Sequence, residues 1–168
     1  NYEKLTGVVY QKNAGTLKDK VQRMEQIVLA FSKRVKMDVD AVVRVVQLCK
    51  ADLVSNLVFE LPKLQGEAGA LLAAYQGEDV AIVEGVREHY KPVQSQSALP
   101  KNDNAAWVAL ADKLDALCIH FREGLIPTGS QDPFGLRRQL IGVFRILQTF
   151  NWGVSLEECI KIAQKATS

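Results

Sequence analysis

The chain has 168 residues, 48% of them hydrophobic, with 21 Lys and Arg against 19 Asp and Glu. That is enough apolar material for one domain with its own core, and no apolar run approaches the roughly 20 residues that a membrane helix needs. No charged-then-apolar leader precedes the first element, so the expected setting is cytoplasmic and without a membrane. The three cysteines, Cys49, Cys118 and Cys159, are odd in number, lack metal-ligand spacing and read as reduced core residues. The net charge of +2 is unevenly placed. Seven Lys or Arg oppose two acidic residues between Gln11 and Lys36, and six acidic residues oppose two basic ones between Glu60 and Tyr90. Such asymmetry fits a basic face for a phosphate backbone and an acidic one elsewhere, although a charged helix face is often only solvated. The chain begins at Asn1 with no initiator methionine, which fits a segment of a longer protein.

In chain order, Gly15-Thr16 followed by Asp19 predicts a helix start, and Leu17, Val21, Met24, Val28, Phe31 and Val35 form the apolar stripe of about five turns. Asp38 predicts the cap of a second helix carrying Ala41, Val42, Val45, Val46, Cys49 and Leu53. Pro62 interrupts, Leu64 to Tyr75 reads as a short helix, and Gly77 ends it. Glu78 and Asp79 suit the start of another helix, with Val80, Val83 and Val86, which reaches His89-Tyr90 before Pro92. A polar loop runs from Val93 to Asn104. The next helix places Trp107, Leu110, Ala111, Leu114, Leu117, Cys118 and Phe121 on one side and ends near Gly124.

The most specific stretch is Ile126 to Leu147. Thr128-Gly129-Ser130 is a run of turn formers, and Asp132-Pro133 predicts an N-cap followed by proline at the first helical position. Leu136, Leu140, Val143, Phe144 and Leu147 then give the apolar face, with Arg137, Arg138 and Arg145 largely off it. Trp152-Gly153 marks a break, and Ser155 to Glu158 predicts a capping box for a last helix through Ala166. The expected class is all-α, about seven helices with no strand, as one domain over residues 1–168.

Chemistry has few carriers. With two histidines, the one grouping that could hold a divalent ion is His89 with Asp112 and Asp115, and the plainer reading is a buried hydrogen-bonded cluster. His120, between Ile119 and Phe121, suits packing or the surface. Neither Cys49 nor Cys118 has a base placed beside it by sequence, Ser130 lacks a nucleophile elbow, and the Thr128–Ser130 turn lacks the Gly-Lys-Ser/Thr ending of a P-loop. Nucleic acid remains: the helix start near Asp132, with Arg137, Arg138 and Arg145, could meet sugar-phosphate oxygens, Asp132 acting as the cap. An ordinary capped core helix with solvated arginines is the alternative.

Three segments together resemble the β subunit of the bacterial heterotetrameric glycyl-tRNA synthetases. They are Lys50-Ala51-Asp52-Leu53 leading to Leu64-Gln65-Gly66; Glu88-His89-Tyr90 with Leu99-Pro100; and Ala111-Asp112-Lys113-Leu114-Asp115, followed by Pro127 to Phe134 and Leu136-Arg137-Arg138. The last run is the most specific, and the likeness covers about Leu17 to Leu147. Departures are Leu61-Pro62-Lys63 where the family has Phe-Pro-Glu, Gln131 where it often has Lys, and Arg122-Glu123 near an apolar stretch. The resemblance implies a middle piece of a longer subunit, similar to an HD domain, the helical fold of metal-dependent phosphohydrolases. The HD signature would fall on Lys20, Ala51-Asp52 and Asp112, with Lys20 and Ala51 where an active member has His. That implies a degenerate, metal-free site in which Lys20 neutralises Asp52 or Asp112.

The resemblance further implies a tRNA-positioning and assembly module without a catalytic residue or cofactor of its own. Glycine activation, with ATP and Mg, would reside in the α subunit. The implied partners are tRNA-Gly, that α subunit and the remaining β domains. Arg137, Arg138, Arg145 and Lys113 are the tRNA-contact candidates; Asp52, His89, Tyr90, Asp112, Asp115, Thr128, Ser130 and Asp132 are the structural motif residues. The alternatives are a scaffold that never touches RNA and an HD-type phosphohydrolase acting through His89, Asp52 and Asp112.

Overall fold

A computed structural model describes residues 2–168. Among them are eight α-helices: α1 Leu17–Ser32, α2 Val39–Leu48, α3 Asn56–Glu60, α4 Glu67–Tyr75, α5 Val80–Glu88, α6 Asp103–Arg122, α7 Leu136–Phe150 and α8 Leu156–Thr167. Three short 3-10 turns, Tyr2–Gly7, Ala51–Val54 and Pro62–Leu64, complete the helical part. The all-helical expectation holds, with one exception. A short antiparallel pair, β1 Val9–Gln11 with β2 Gly15–Thr16, precedes α1. Strands of three and two residues are too short for a two-residue period to show in sequence. None of the helices is long and apolar enough to cross a membrane.

Three of the predicted caps form as expected. Thr16 and Asp19 make a reciprocal capping box at α1, Ser155 and Glu158 make another at α8, and the Asp38 carboxylate accepts from the Ala41 N–H at α2. Several boundaries differ from expectation, α1 already ending at Ser32, before Val35. α2 stops at Leu48, and Leu53 lies in the following 3-10 turn. α4 begins at Glu67, not Leu64, because Gly66 takes a positive φ of 84° and the chain turns there. α3, capped by Ser55, was not anticipated.

α6 is the axis of the fold. The one-sided apolar pattern expected for it is replaced by burial nearly all round, since α1, α2, α5, α7 and α8 all contact it. Ala105, Ala106, Ala109, Ala111 and Ala116 leave room for those neighbours to approach. Trp107 lies fully buried on α6, stacked at 3.5 Å on Trp152 and 5.2 Å from Phe31. Trp152-Gly153 is therefore a break that also packs: Asn151, at a φ of 46°, ends α7 and returns Trp152 to the core.

α2 and α5 meet closely at Gly85, where an added Cβ would stand 2.5 Å from Val45 Cγ2. Val45 is buried and β-branched, so it has little room to turn away. Gly85→Ala should therefore destabilise the fold by about 1–3 kcal/mol through overpacking. In denaturant unfolding, Val45→Ala added to that variant should recover part of the loss, a coupling that two unrelated defects would not show.

Candidate functional site: a buried ion network beneath a basic cleft

Two residue pairs with the same spacing face each other across α1 and α6. Lys20 and Arg23 stand three apart on α1, as do Asp112 and Asp115 on α6, so each pair shares a helix face. Lys20 Nζ lies 2.8 Å from Asp112 Oδ1 and 2.8 Å from Asp115 Oδ2, and donates also to the Asp112 carbonyl at 3.3 Å. Arg23 Nε donates to the other Asp115 oxygen at 2.6 Å, and its NH1 group donates to the Ala14 carbonyl at 2.9 Å. The other Asp112 oxygen, Oδ2, accepts from Lys50 Nζ at 2.8 Å. That ammonium also meets His89 Nε2 at 3.1 Å and sits 3.9 Å above the Tyr90 ring.

Protonation states follow from these contacts. Burial alone would raise the Asp112 carboxyl, but the Lys20 and Lys50 ammoniums outweigh it and hold the group well below the usual range. Burial likewise opposes charge on Lys20 and Lys50; Asp112, with Asp115 for Lys20, overrides it and raises both. His89 is pushed well below its ordinary value by burial and by Lys50, so it is neutral. Its Nδ1 is 2.6 Å from the Val86 carbonyl, which places the proton there and leaves Nε2 to accept from Lys50. Burial pushes the Tyr90 hydroxyl and the Cys49 thiol each up to about 12.

Asp52, fully buried, does something different. Its Oδ2 accepts from the Gly66 N–H at 2.6 Å and the Gly69 N–H at 3.1 Å. Those donors belong to the first turn of α4, whose N-cap is a glycine with no side chain to offer. Asp52 thus caps α4 from another element. Of the two aspartates expected to meet Lys20, only Asp112 does. Asp52 Oδ1 is buried with no hydrogen-bond partner.

These residues do not fit a divalent cation. Lys50 stands between His89 and Asp112, and ammonium groups occupy both Asp112 oxygens. No group of three His, Cys, Asp or Glu with metal-binding geometry occurs among the described residues. Lys50 and Arg23 were missed at the level of sequence. The matched spacing of Lys20/Arg23 with Asp112/Asp115 could have suggested Arg23; nothing local marks Lys50.

Above the network opens a cleft of about 440 Å³ lined by Tyr10, Lys20, Lys50, Lys63, Tyr90, Asp112, Lys113 and Arg138. Two of the four tRNA-contact candidates, Lys113 and Arg138, meet there. Lys113 is only 3% exposed, donates to the Tyr90 carbonyl at 3.2 Å, and has its stem against Gly142, where an added Cβ would be 2.7 Å from Lys113 Cε. Burial, with Lys50, Lys20 and Arg138 nearby, pulls its amine down to about 8, against the opposing effect of Asp112. Arg137 is exposed and does not line the cleft. Arg145 is turned to the loop after α5, donating to the Ser95 and Ser97 carbonyls at 2.9 and 2.8 Å.

The predicted α7 start needs correction. The helix begins at Leu136, after Gly135 in the left-handed region at a φ of 63°, so Pro133 is outside it. Asp132 still caps, from further back, accepting from the Leu136 N–H at 2.7 Å and the Arg137 N–H at 3.0 Å. Thr128 and Gln131 close the Gly129-Ser130 turn through two backbone hydrogen bonds. His120 packs between Tyr10 and Phe134, with ring centroids at 6.1 and 4.5 Å.

Removing the central carboxylate should be costly. Asp112→Ala leaves the Lys20 and Lys50 ammoniums buried without their shared partner, and unfolding by denaturant should show a loss of roughly 3–5 kcal/mol. Lys113 should behave oppositely. Lowering an amine from 10.5 to about 8 corresponds to on the order of 3 kcal/mol against the charged folded state. Lys113→Met should thus raise stability at pH 7 by on the order of 1–2 kcal/mol, after allowing for the lost bond to Tyr90. Between pH 8 and 10.5 the unfolded chain holds this proton and the folded chain does not. The wild-type protein should therefore gain on the Met variant across that range, as paired unfolding curves would show.

The chain matches, over residues 1–168, the family described as glycyl-tRNA synthetase beta subunit. Among its relatives, the glycine–tRNA ligase beta subunit of Bacillus subtilis (strain 168) is 42% identical over 167 residues, covering 98% of this chain and 25% of that protein. The corresponding protein of Geobacter sp. (strain M21) is 41% identical over 171 residues, with the same two coverages of 98% and 25%. That of Listeria monocytogenes serovar 1/2a (strain ATCC BAA-679 / EGD-e) is 39% identical over 160 residues, covering 94% and 23%. The chain thus spans about a quarter of the length of these relatives, at an identity and coverage that leave one assignment: it belongs to the glycyl-tRNA synthetase beta-subunit family.

Proposed function

We propose that this chain is a tRNA-positioning and assembly module of a glycyl-tRNA synthetase, acting in the cytoplasm and carrying no catalytic residue, metal or cofactor of its own. The observation that carries the reading is one cation-lined cleft with Lys63 and Arg138 exposed at it and Lys113 buried beneath, next to the exposed Arg137 at the start of α7. Cations gathered on one surface bind sugar-phosphate backbones with little regard to base sequence, and so orient an RNA without selecting it. ATP and Mg belong, on this reading, to glycine activation in an α subunit, and tRNA-Gly, that subunit and further β domains are the partners.

The HD-like ancestry supports the absence of chemistry. Of its four signature positions, Lys20 and Asp112 are bonded to each other, Asp52 caps α4, and Ala51 has no ligating group. A phosphohydrolase needs metal-bound oxygen at such a site, and ammoniums hold the positions where the metal would bind.

An assembly role has its own support. Phe59, Tyr75 and Val80 are 82%, 91% and 79% exposed, with Leu57, Leu61 and Leu71 also exposed on α3, α4 and the turn between them. Large apolar groups left exposed in neighbouring segments suit a contact with protein. In the scaffold alternative this surface carries the whole role.

A titration of the intact protein with tRNA across a salt series separates the two. Arg137→Ala and Arg138→Ala should each weaken binding to cognate and non-cognate tRNA alike, and each should lower the salt slope by about one. Unchanged affinity and unchanged glycine charging in both variants would overturn the RNA reading and leave the scaffold.

A further inference from the structure

The charge around the cleft does not balance. Lys20, Lys50, Lys63, Lys113 and Arg138 line it against the single carboxylate of Asp112, both of whose oxygens are already bonded to Lys20 and Lys50. Behind them Asp115 is shared by Lys20 and Arg23, and Asp52 faces the α4 N–H groups. Lys63, Lys113 and Arg138 make no ion pair among the described residues. Lys113 is the telling member of this set. It is buried at the cleft floor with one acceptor, the Tyr90 carbonyl, which leaves two of its three N–H groups without a partner. A surface lysine would solvate its ammonium freely; this one is almost fully buried, with other cations around it.

We propose that the cleft is a seat for a terminal phosphate, the dianionic end group of a mononucleotide or of an RNA strand. Three uncompensated cations match a group carrying up to two charges and three free oxygens. A phosphodiester inside a strand has one charge and two free oxygens, with chain continuing on both sides, so it meets the exposed Lys63 and Arg138 but not Lys113 at the floor. A terminal phosphate enters end-on and reaches all three. The volume of about 440 Å³ admits the phosphate with its attached sugar. An anion beside Lys113 would also favour its protonated form, reversing the effect of burial and of its cationic neighbours. RNA as the source rests on the function proposed above; the phosphate seat does not.

Two titrations of the intact protein test this. In the first, inorganic phosphate is compared with acetate at matched ionic strength by calorimetry. In the second, two RNA oligonucleotides are compared that differ only in a 5′-phosphate or a 5′-hydroxyl. Phosphate should bind saturably and acetate should not. Lys113→Gln and the exposed Arg138→Gln should each weaken phosphate binding by about tenfold, the loss of one charge-assisted contact, whereas Arg145→Gln, outside the cleft, should leave it unchanged. A preference for the 5′-phosphorylated RNA of similar size, lost in the same two variants, would identify a strand end as the source. Saturable phosphate binding with no such preference would support the seat with a free phosphate or mononucleotide as its ligand. Phosphate binding without RNA binding would overturn the RNA reading and keep the seat. Absence of saturable phosphate binding, or binding indifferent to both cleft variants, overturns the proposal even where RNA still binds.

Discussion

Asp112 places one carboxylate between two buried ammoniums, and the relative positions of four segments follow from it. Lys20 comes from α1, Lys50 from just after α2, His89 from the C-cap of α5, and Asp112 from the middle of α6. An apolar interface of the same area would tolerate small slides along a helix; an ion pair with oxygen and nitrogen at 2.8 Å does not. Its net contribution to stability is modest, because taking these charges out of water offsets much of their attraction. Its contribution to register is large. A shift of α1 by one residue would turn Lys20 and Arg23 away from Asp112 and Asp115 together, leaving Lys20, Arg23 and Asp115 unpaired and Asp112 with Lys50 alone.

The same arrangement explains why the cleft is positive. One carboxylate holds two lysines by using both its oxygens, so it has none left for a third cation, and Lys113 is the next residue on α6. Because consecutive helical residues point about 100° apart, Lys113 leaves the network and turns toward α7, where Gly142 gives its stem room. Burial without a counter-ion is what separates Lys113 from Lys20. Both are almost fully buried, yet one is raised by its carboxylates and the other is pulled down to about 8. Stability alone favours a neutral side chain there.

Helix existence was legible in the sequence wherever local chemistry decides it. Thr16 with Asp19, Asp38 and Ser155 with Glu158 cap their own helices, and those helices begin where expected. The reading failed where a distant group decides. α4 starts at Glu67 because Asp52, well before it in the chain, supplies the cap that Gly66 lacks. Asp132 was recognised as a cap but placed too close to its helix, because a side chain can also reach the first turn across Pro133, Phe134 and Gly135. In the site, Asp112 and Asp115 were marked by their spacing, whereas Lys50 carries no local pattern. Arg145 reads as a phosphate contact on its helix face, and only the folded loop after α5 shows that carbonyls have claimed it.

A divalent ion and two lysines deliver the same +2 to a carboxylate site, but they do so differently. A metal ion is held by its ligands and leaves when they weaken or protonate. An ammonium is tethered by its own stem, so Lys20 and Lys50 keep α1, α5 and α6 assembled without any metal supply. On the ancestry proposed above, this exchange is hard to reverse by restoring histidines at positions 20 and 51 alone. Lys50 would still bridge Asp112 and His89, and Asp52 would still be bonded to the α4 N–H groups. Asp112, His89 and Asp52 each have a structural partner, and withdrawing any one of those partners leaves a buried polar group or a helix end unsatisfied. Lys113, Lys63 and Arg138 are outside those commitments, so on the phosphate-seat proposal the cations free to bind are those that structure has not claimed.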